Sequence, residues 1–103
     1  MARDQSQLQS LLEATVGSEV KVYFQPPSTL KMQYPCIRYE RDAANTEFAG
    51  NKPYRYTKRY QVMVITRESD SPIPDKIAEL PMCTFDRWYA AENLNHDVFN
   101  LYF

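Results

Sequence analysis

The chain has 103 residues, enough for one domain with a modest core, and at this length folding buries roughly two-thirds of the surface the unfolded chain exposes. Eight tyrosines and five phenylalanines favour a sheet-containing fold over a helical bundle. Twelve basic against thirteen acidic residues leave a net charge of -1, which argues against a dedicated nucleic-acid binder, whose footprint is a strong cationic excess.

Leu8, Leu11, Leu12, Thr15 and Val16 fall at helical spacing and predict a first helix with one apolar stripe. Asp4 or Ser6 is placed to cap its start, and Gly17 to stop it in the left-handed region. In "EVKVYFQ", Val20, Val22 and Phe24 alternate with Lys21 and Tyr23, which is the period of a strand. "PPSTLKMQYP" reads as an ordered loop, because Pro26, Pro27 and Pro35 remove backbone donors and fix φ. "CIRYER" is a second strand, with Ile37 and Tyr39 alternating against Arg38 and Glu40. Residues 42 to 53, "DAANTEFAGNKP", are small, polar and turn-rich, with Gly50-Asn51 as the sharpest turn. They are expected to form a long projecting arm at the tip of a hairpin, beyond the usual loop length, and such length points to function or disorder.

"NKPYRYTKRYQVMVIT" is the third and longest strand. Its even positions carry Tyr54, Tyr56, Tyr60, Val62 and Val64, and its odd positions carry Arg55, Thr57, Arg59 and Gln61 before Met63 and Ile65. The second half is apolar on both faces and is placed centrally, covered above and below. "RESDSPIPDKIAELP" switches to helical period: Ser71 caps, Pro72 takes the first position, Ile73, Ile77 and Leu80 share a side, and Pro81 ends the run. "MCTFDRWYA" and "HDVFNLYF" close the domain as paired strands around an "AENLN" turn. Phe103 at the very end implies a terminus packed in a sheet or against a neighbouring subunit. The order is α-β-β-β-α-β-β: a single α+β domain, an antiparallel or mixed sheet with an N-terminal helix and a second short helix packed on it.

Sites for chemistry are sparse. Gly17 and Gly50 are the only glycines, so no phosphate-cradling loop can be built. Cys36 and Cys83 sit in separate strand-like runs as small buried side chains, and with His96 as the only histidine the ligands for a zinc site are too few. His96 reads as a surface polar residue in the "ENLNHD" turn, and no spacing pairs it with a nucleophile. The expectation is therefore a non-enzyme with no catalytic residues, cofactor or metal. The first sixteen residues carry Arg3, Asp4 and Glu13, unlike a secretory leader, and no run approaches the ~20 apolar residues of a bilayer span. A soluble chain with reduced thiols is expected.

Lys52, Arg55, Lys58 and Arg59 interleaved with Tyr54, Tyr56 and Tyr60 raise a stacking platform for single-stranded nucleic acid. Strand parity opposes it, because tyrosines and arginines then point to opposite faces. The arginines find partners either in Glu40, Asp86 or Glu92 across the sheet, or in another protein chain, where arginine and tyrosine are favoured anchors. Glu47, Phe48, Asn51, Lys52, Tyr54, Arg55, Tyr56, Arg59 and Phe103 are the candidate interface residues.

"YPCIRYERD", "NKPY" with "RYQVMVI", "IPDKIAELP", "FDRWY" and "NLNHDVFNLYF", in that order over residues 34 to 103, resemble the small tail completion or tail terminator proteins of siphophages infecting low-GC Gram-positive bacteria. The resemblance implies an α+β structural protein of the virion, a hexameric ring on the head-proximal end of the tail tube. Such a ring halts polymerisation of the major tail tube protein and docks the head-closure protein of the connector. It implies passage of genomic DNA through the lumen without specific binding, no membrane, no cofactor and no enzymatic activity, with assembly in the host cytoplasm. Rival readings are another neck component, a head-closure or adaptor protein, and, from a different class, a small nucleic-acid-binding regulator.

Overall fold

The computed structural model describes the backbone of residues 4–50 and 52–103, and the side chains of these residues except 45–49 and 52–56. Its elements are α1 (Gln5–Val16), β1 (Lys21–Phe24), β2 (Cys36–Ala49), β3 (Lys52–Thr66), α2 (Ile73–Ala78), β4 (Cys83–Ala91) and β5 (Leu94–Tyr102). The order is the expected one. The five strands form a mixed sheet in the order β1-β2-β3-β5-β4, with β1 parallel to β2 and every other pair antiparallel.

A capping box starts α1: Asp4 Oδ1 accepts the Gln7 N–H at 3.0 Å, and Gln7 Oε1 accepts the Asp4 N–H at 3.0 Å. Leu8, Leu12 and Val16 are buried along its stripe, with Leu11 packed beside them. Gly17 ends the helix with φ 87° and ψ 174°, a positive-φ glycine conformation outside the expected left-handed helical well. At α2, Pro72 takes the cap position, one residue before the one assigned to it, and Ser71 Oγ accepts the Ile73 N–H at 3.3 Å.

Both helices cover one face of the sheet. There Ile37 and Tyr39 of β2, Tyr60, Val62 and Val64 of β3, and Phe99 and Leu101 of β5 join Leu8, Leu12 and Ile77 in the main core. Gln5 Nε2 donates to Tyr39 Oη at 2.6 Å, and Tyr39 Oη donates to Gln9 Oε1 at 2.5 Å. Burial raises the Tyr39 pKa, opposed by the hydrogen bond from Gln5.

The other face is covered at one end by the proline-rich loop: Met32 and Tyr34 lie with Tyr23 and Met63 over Cys36, Ile65 and Leu94. Gln33 N–H donates to Tyr23 Oη at 3.1 Å, and the Arg67 guanidinium lies 5.7 Å from the centre of the Tyr34 ring. The end of β3 is thus central and covered on both sides, as its two-sided apolar pattern requires. No helix among the described residues is long and apolar enough to cross a membrane.

Candidate assembly interface

The segment expected as a long projecting arm at a hairpin tip is, over residues 42–49 and 52–53, a paired ribbon of strand. β2 runs on to Ala49 and β3 begins at Lys52, with Gly50 in the turn after β2. Gly50 has φ 58°, which glycine adopts without strain. The turn signal was legible, but small polar residues disguised the strands on either side of it.

Neighbouring strands leave this ribbon uncovered. β1 pairs with β2 only over Cys36–Tyr39, and β5 pairs with β3 only over Arg59–Thr66. Beyond Asp42 on one strand and Lys58 on the other, the pair continues with no strand flanking it among the described residues. Seven residues of β2, from Ala43 to Ala49, project about 20–25 Å at strand rise. The molecule accordingly measures 50 Å along its longest axis and 24 Å along the other two.

A bulge marks the root. Arg41 faces Tyr60 and Ala43 faces Arg59, so Asp42 is the extra residue. Asp42 accepts two hydrogen bonds from the Arg59 guanidinium, Nε to Oδ1 at 3.0 Å and Nη2 to Oδ2 at 3.3 Å. This pair and a hydrogen bond to Tyr102 raise the Arg59 pKa. Arg59 therefore finds its acid in the bulge of the adjacent strand, where none of the expected partners, Glu40, Asp86 or Glu92, lies. Asp86 is held instead by Arg87 at 2.5 Å. A second register shift, between Glu47 and Phe48, leaves Tyr54 as the extra residue on β3.

Of the interface candidates, Asn51 lies outside the described residues, and the side chains of Glu47, Phe48, Lys52, Tyr54, Arg55 and Tyr56 lie outside the described side chains. Their backbone positions, Asn51 excepted, are in the ribbon, where Glu47 faces Arg55 and Ala49 faces Lys52. Arg59 stands at the root, half-buried, on the face opposite Tyr60, which is 1 % exposed. Parity thus holds where the side chains are described. Phe103 takes the first of its two expected placements: it is packed in the chain's own sheet and core, and its N–H donates to Lys58 O at 2.9 Å. That bond extends the β3–β5 ladder at the ribbon root.

Sequence reasoning missed the outer face of β4. Met82, Phe85 and Trp88 are more than half exposed. Phe85 and Trp88 are three residues apart, a spacing that puts side chains of a regular strand on opposite faces. A bulge at Asp86 moves them to the same one: Phe85 faces Phe99 and Trp88 faces Asp97, both on the helix-bearing side. Phe85 meets Phe99 edge-on at 5.6 Å, so its inner edge is packed and its outer surface is open.

His96 is corrected. It lies in β5, half-buried, with its ring stacked 4.6 Å from that of Tyr89. The turn is Glu92-Asn93, both with positive φ. Cys36 is fully buried and its thiol is pushed up to about 11 by burial; Cys83 is raised for the same reason. No group of three or more His, Cys, Asp or Glu side chains among the described residues is disposed to hold a metal ion. No family model matches the chain, and no curated protein is significantly similar to it.

Proposed function

We propose that this protein is a structural subunit of a phage neck, a tail terminator that assembles as a ring on the head-proximal end of the tail tube, stops its growth and presents the docking surface for the head connector. The observation that carries the reading is the uncovered ribbon of β2 and β3. An isolated two-stranded ribbon is marginal in water, so a chain that extends one about 20–25 Å from its sheet has a use for it against another surface.

The family resemblance of residues 34 to 103 supplies the identity of that surface, and the α+β architecture agrees with it. Net charge -1 suits a lumen through which DNA passes without adhering. A ring requires a heterologous contact, one patch meeting a different patch on the next subunit. The ribbon and the open face of β4 are two such unlike patches.

The test is to produce phage particles without this chain. Tails of uncontrolled length that fail to join heads support a terminator. Tails of normal length that fail to join heads would assign the chain to a head-closure or adaptor position. Normal, infectious particles would refute a neck role altogether.

A further inference from the structure

The shelf made by Phe85 and Trp88 is an exposed aromatic surface on the outermost strand of the sheet. Large apolar groups grouped on a surface mark a contact site more often than chance exposure. Strand addition along β4 is opposed by the bulge at Asp86 and by the charged Asp86-Arg87 pair at its centre, both devices that blunt an edge. The shelf therefore calls for something laid across its face.

We propose that the shelf seats the β2-β3 ribbon of a second copy of this chain. Charge selects that occupant. Beside Trp88 runs a groove of about 290 Å³ whose lining includes Glu68, Asp70, Asp75 and Asp97 and no lysine or arginine among the described residues. The ribbon, residues 43 to 58, carries Lys52, Arg55 and Lys58 against the single acid Glu47, a net +2 from three minus one, together with Phe48, Tyr54 and Tyr56. A segment of net positive charge thus complements an anionic groove, on a chain whose total charge is only -1.

Topology requires the ribbon to come from another molecule. Trp88 pairs with Asp97, and Asp97 with Val64, near the end of β3 that leads to α2. The ribbon leaves from the opposite end, beyond the pairing of Arg59 with Tyr102. It points away from its own shelf. Ribbon onto shelf is accordingly a head-to-tail contact, which closes into a ring or propagates as a filament. The inference deepens the ring proposed above and rests on it for its biological setting, although the contact itself is tested on the purified chain.

The experiment is a charge swap. One variant reverses the ribbon (Lys52→Glu, Arg55→Glu, Lys58→Glu), a second reverses the shelf (Glu68→Lys, Asp70→Lys, Asp75→Lys, all exposed), and a third carries both sets. Sedimentation velocity reads the assembly, and emission from Trp88, the only tryptophan, reads burial of the shelf. The parent chain is expected to assemble with a blue shift of that emission. Each single reversal is expected to weaken assembly about tenfold or more, and the combined variant to recover it.

A Trp88→Ser variant, changed only at an exposed position, provides a control free of charge reversal and is expected to remain monomeric with an unchanged urea midpoint. A monomeric parent, single reversals that assemble like the parent, or a combined variant that stays apart would each overturn the proposal. Rescue by the swap in a chain that has no effect on phage tails would leave the contact standing and refute the terminator role. Assembly that is indifferent to the swap, with tails that need the chain, would do the reverse.

Discussion

Tyr39→Phe removes a single oxygen from the join between α1 and the sheet. The ring stays: Phe at this position keeps the contact with Phe24 at 5.0 Å and with Tyr60 at 6.1 Å, so no cavity opens. What goes is the hydroxyl that accepts from Gln5 at 2.6 Å and donates to Gln9 at 2.5 Å. Each hydrogen bond of this kind contributes about 0.5–1.5 kcal/mol net. Gln5 and Gln9 are only partly buried and can turn to water, whereas the lost oxygen leaves no stranded partner in the core. The lower half of the range applies to each of the two bonds, giving a loss of about 1–2 kcal/mol. For a domain of this length that corresponds to roughly 4–10 °C in Tm.

Urea unfolding followed by circular dichroism measures it, with an unchanged m-value expected because the buried surface is the same. The partner variant Gln9→Ala closes a double-mutant cycle, and a coupling of about 0.5 kcal/mol or more with Tyr39→Phe is expected. A Tyr39→Phe variant as stable as the parent, or a coupling near zero, would show that α1 is held by its apolar stripe alone.

The Cys36 thiol is held neutral by burial, with a folded pKa of about 11 against an ordinary 9.0. The unfolded chain therefore loses this proton first, and stability falls as pH rises from about 9 to 11; Cys36→Ala is expected to flatten that fall in alkaline urea titrations. Native protein is expected to expose Cys83 to a thiol reagent well before Cys36, with both reacting at once in denaturant; equal native rates would contradict the burial. Burial and the nearby Asp75 raise the Asp97 pKa, against a smaller opposing influence of His96, so the folded state binds this proton more readily than the unfolded. The charge costs stability at neutral pH, and Asp97→Asn is expected to be more stable than the parent at pH 7, with the gap closing as pH falls through the carboxylate range. Asp42→Ala releases Arg59 at the ribbon root, and hydrogen exchange is expected to quicken at residues 44 to 49 and 57 to 58 while Val62 and Val64 keep their protection.

Local chemistry made most of the fold legible. The α1 stripe of Leu8, Leu12 and Val16 and the two-sided apolar end of β3 both state their environment in their periodicity. The ribbon was hidden because Ala43, Ala44, Asn45 and Ala49 have poor strand propensity, and pairing with β3 overrides it. The parallel pairing of β1 was beyond reach, since nothing in "KVYF" distinguishes it from an antiparallel edge. The shelf was missed for a different reason: alternation assigns Phe85 and Trp88 to opposite faces, and a bulge leaves no residue type behind to betray it. Phe103 was legible as a packed residue, because an aromatic side chain opposes the fraying usual at a terminus, but only its seat in the core and its bond to Lys58 choose the chain's own sheet over a neighbour.

The ribbon is made of the same two strands that run through the centre of the sheet. Force applied at its tip is carried down the backbone of β2 and β3, through the register shift at Glu47 and Phe48 and then the bulge at Asp42, where the ladder joins the body of the sheet. A bulge bends its strand and increases the local twist, so the ribbon's direction is set there while Tyr39 and Val62 hold their register below. The Asp42-Arg59 ion pair ties the two strands together at that bend. The direction in which the ribbon projects is therefore set by one bulge and one ion pair, so a substitution at either re-aims it without touching the core.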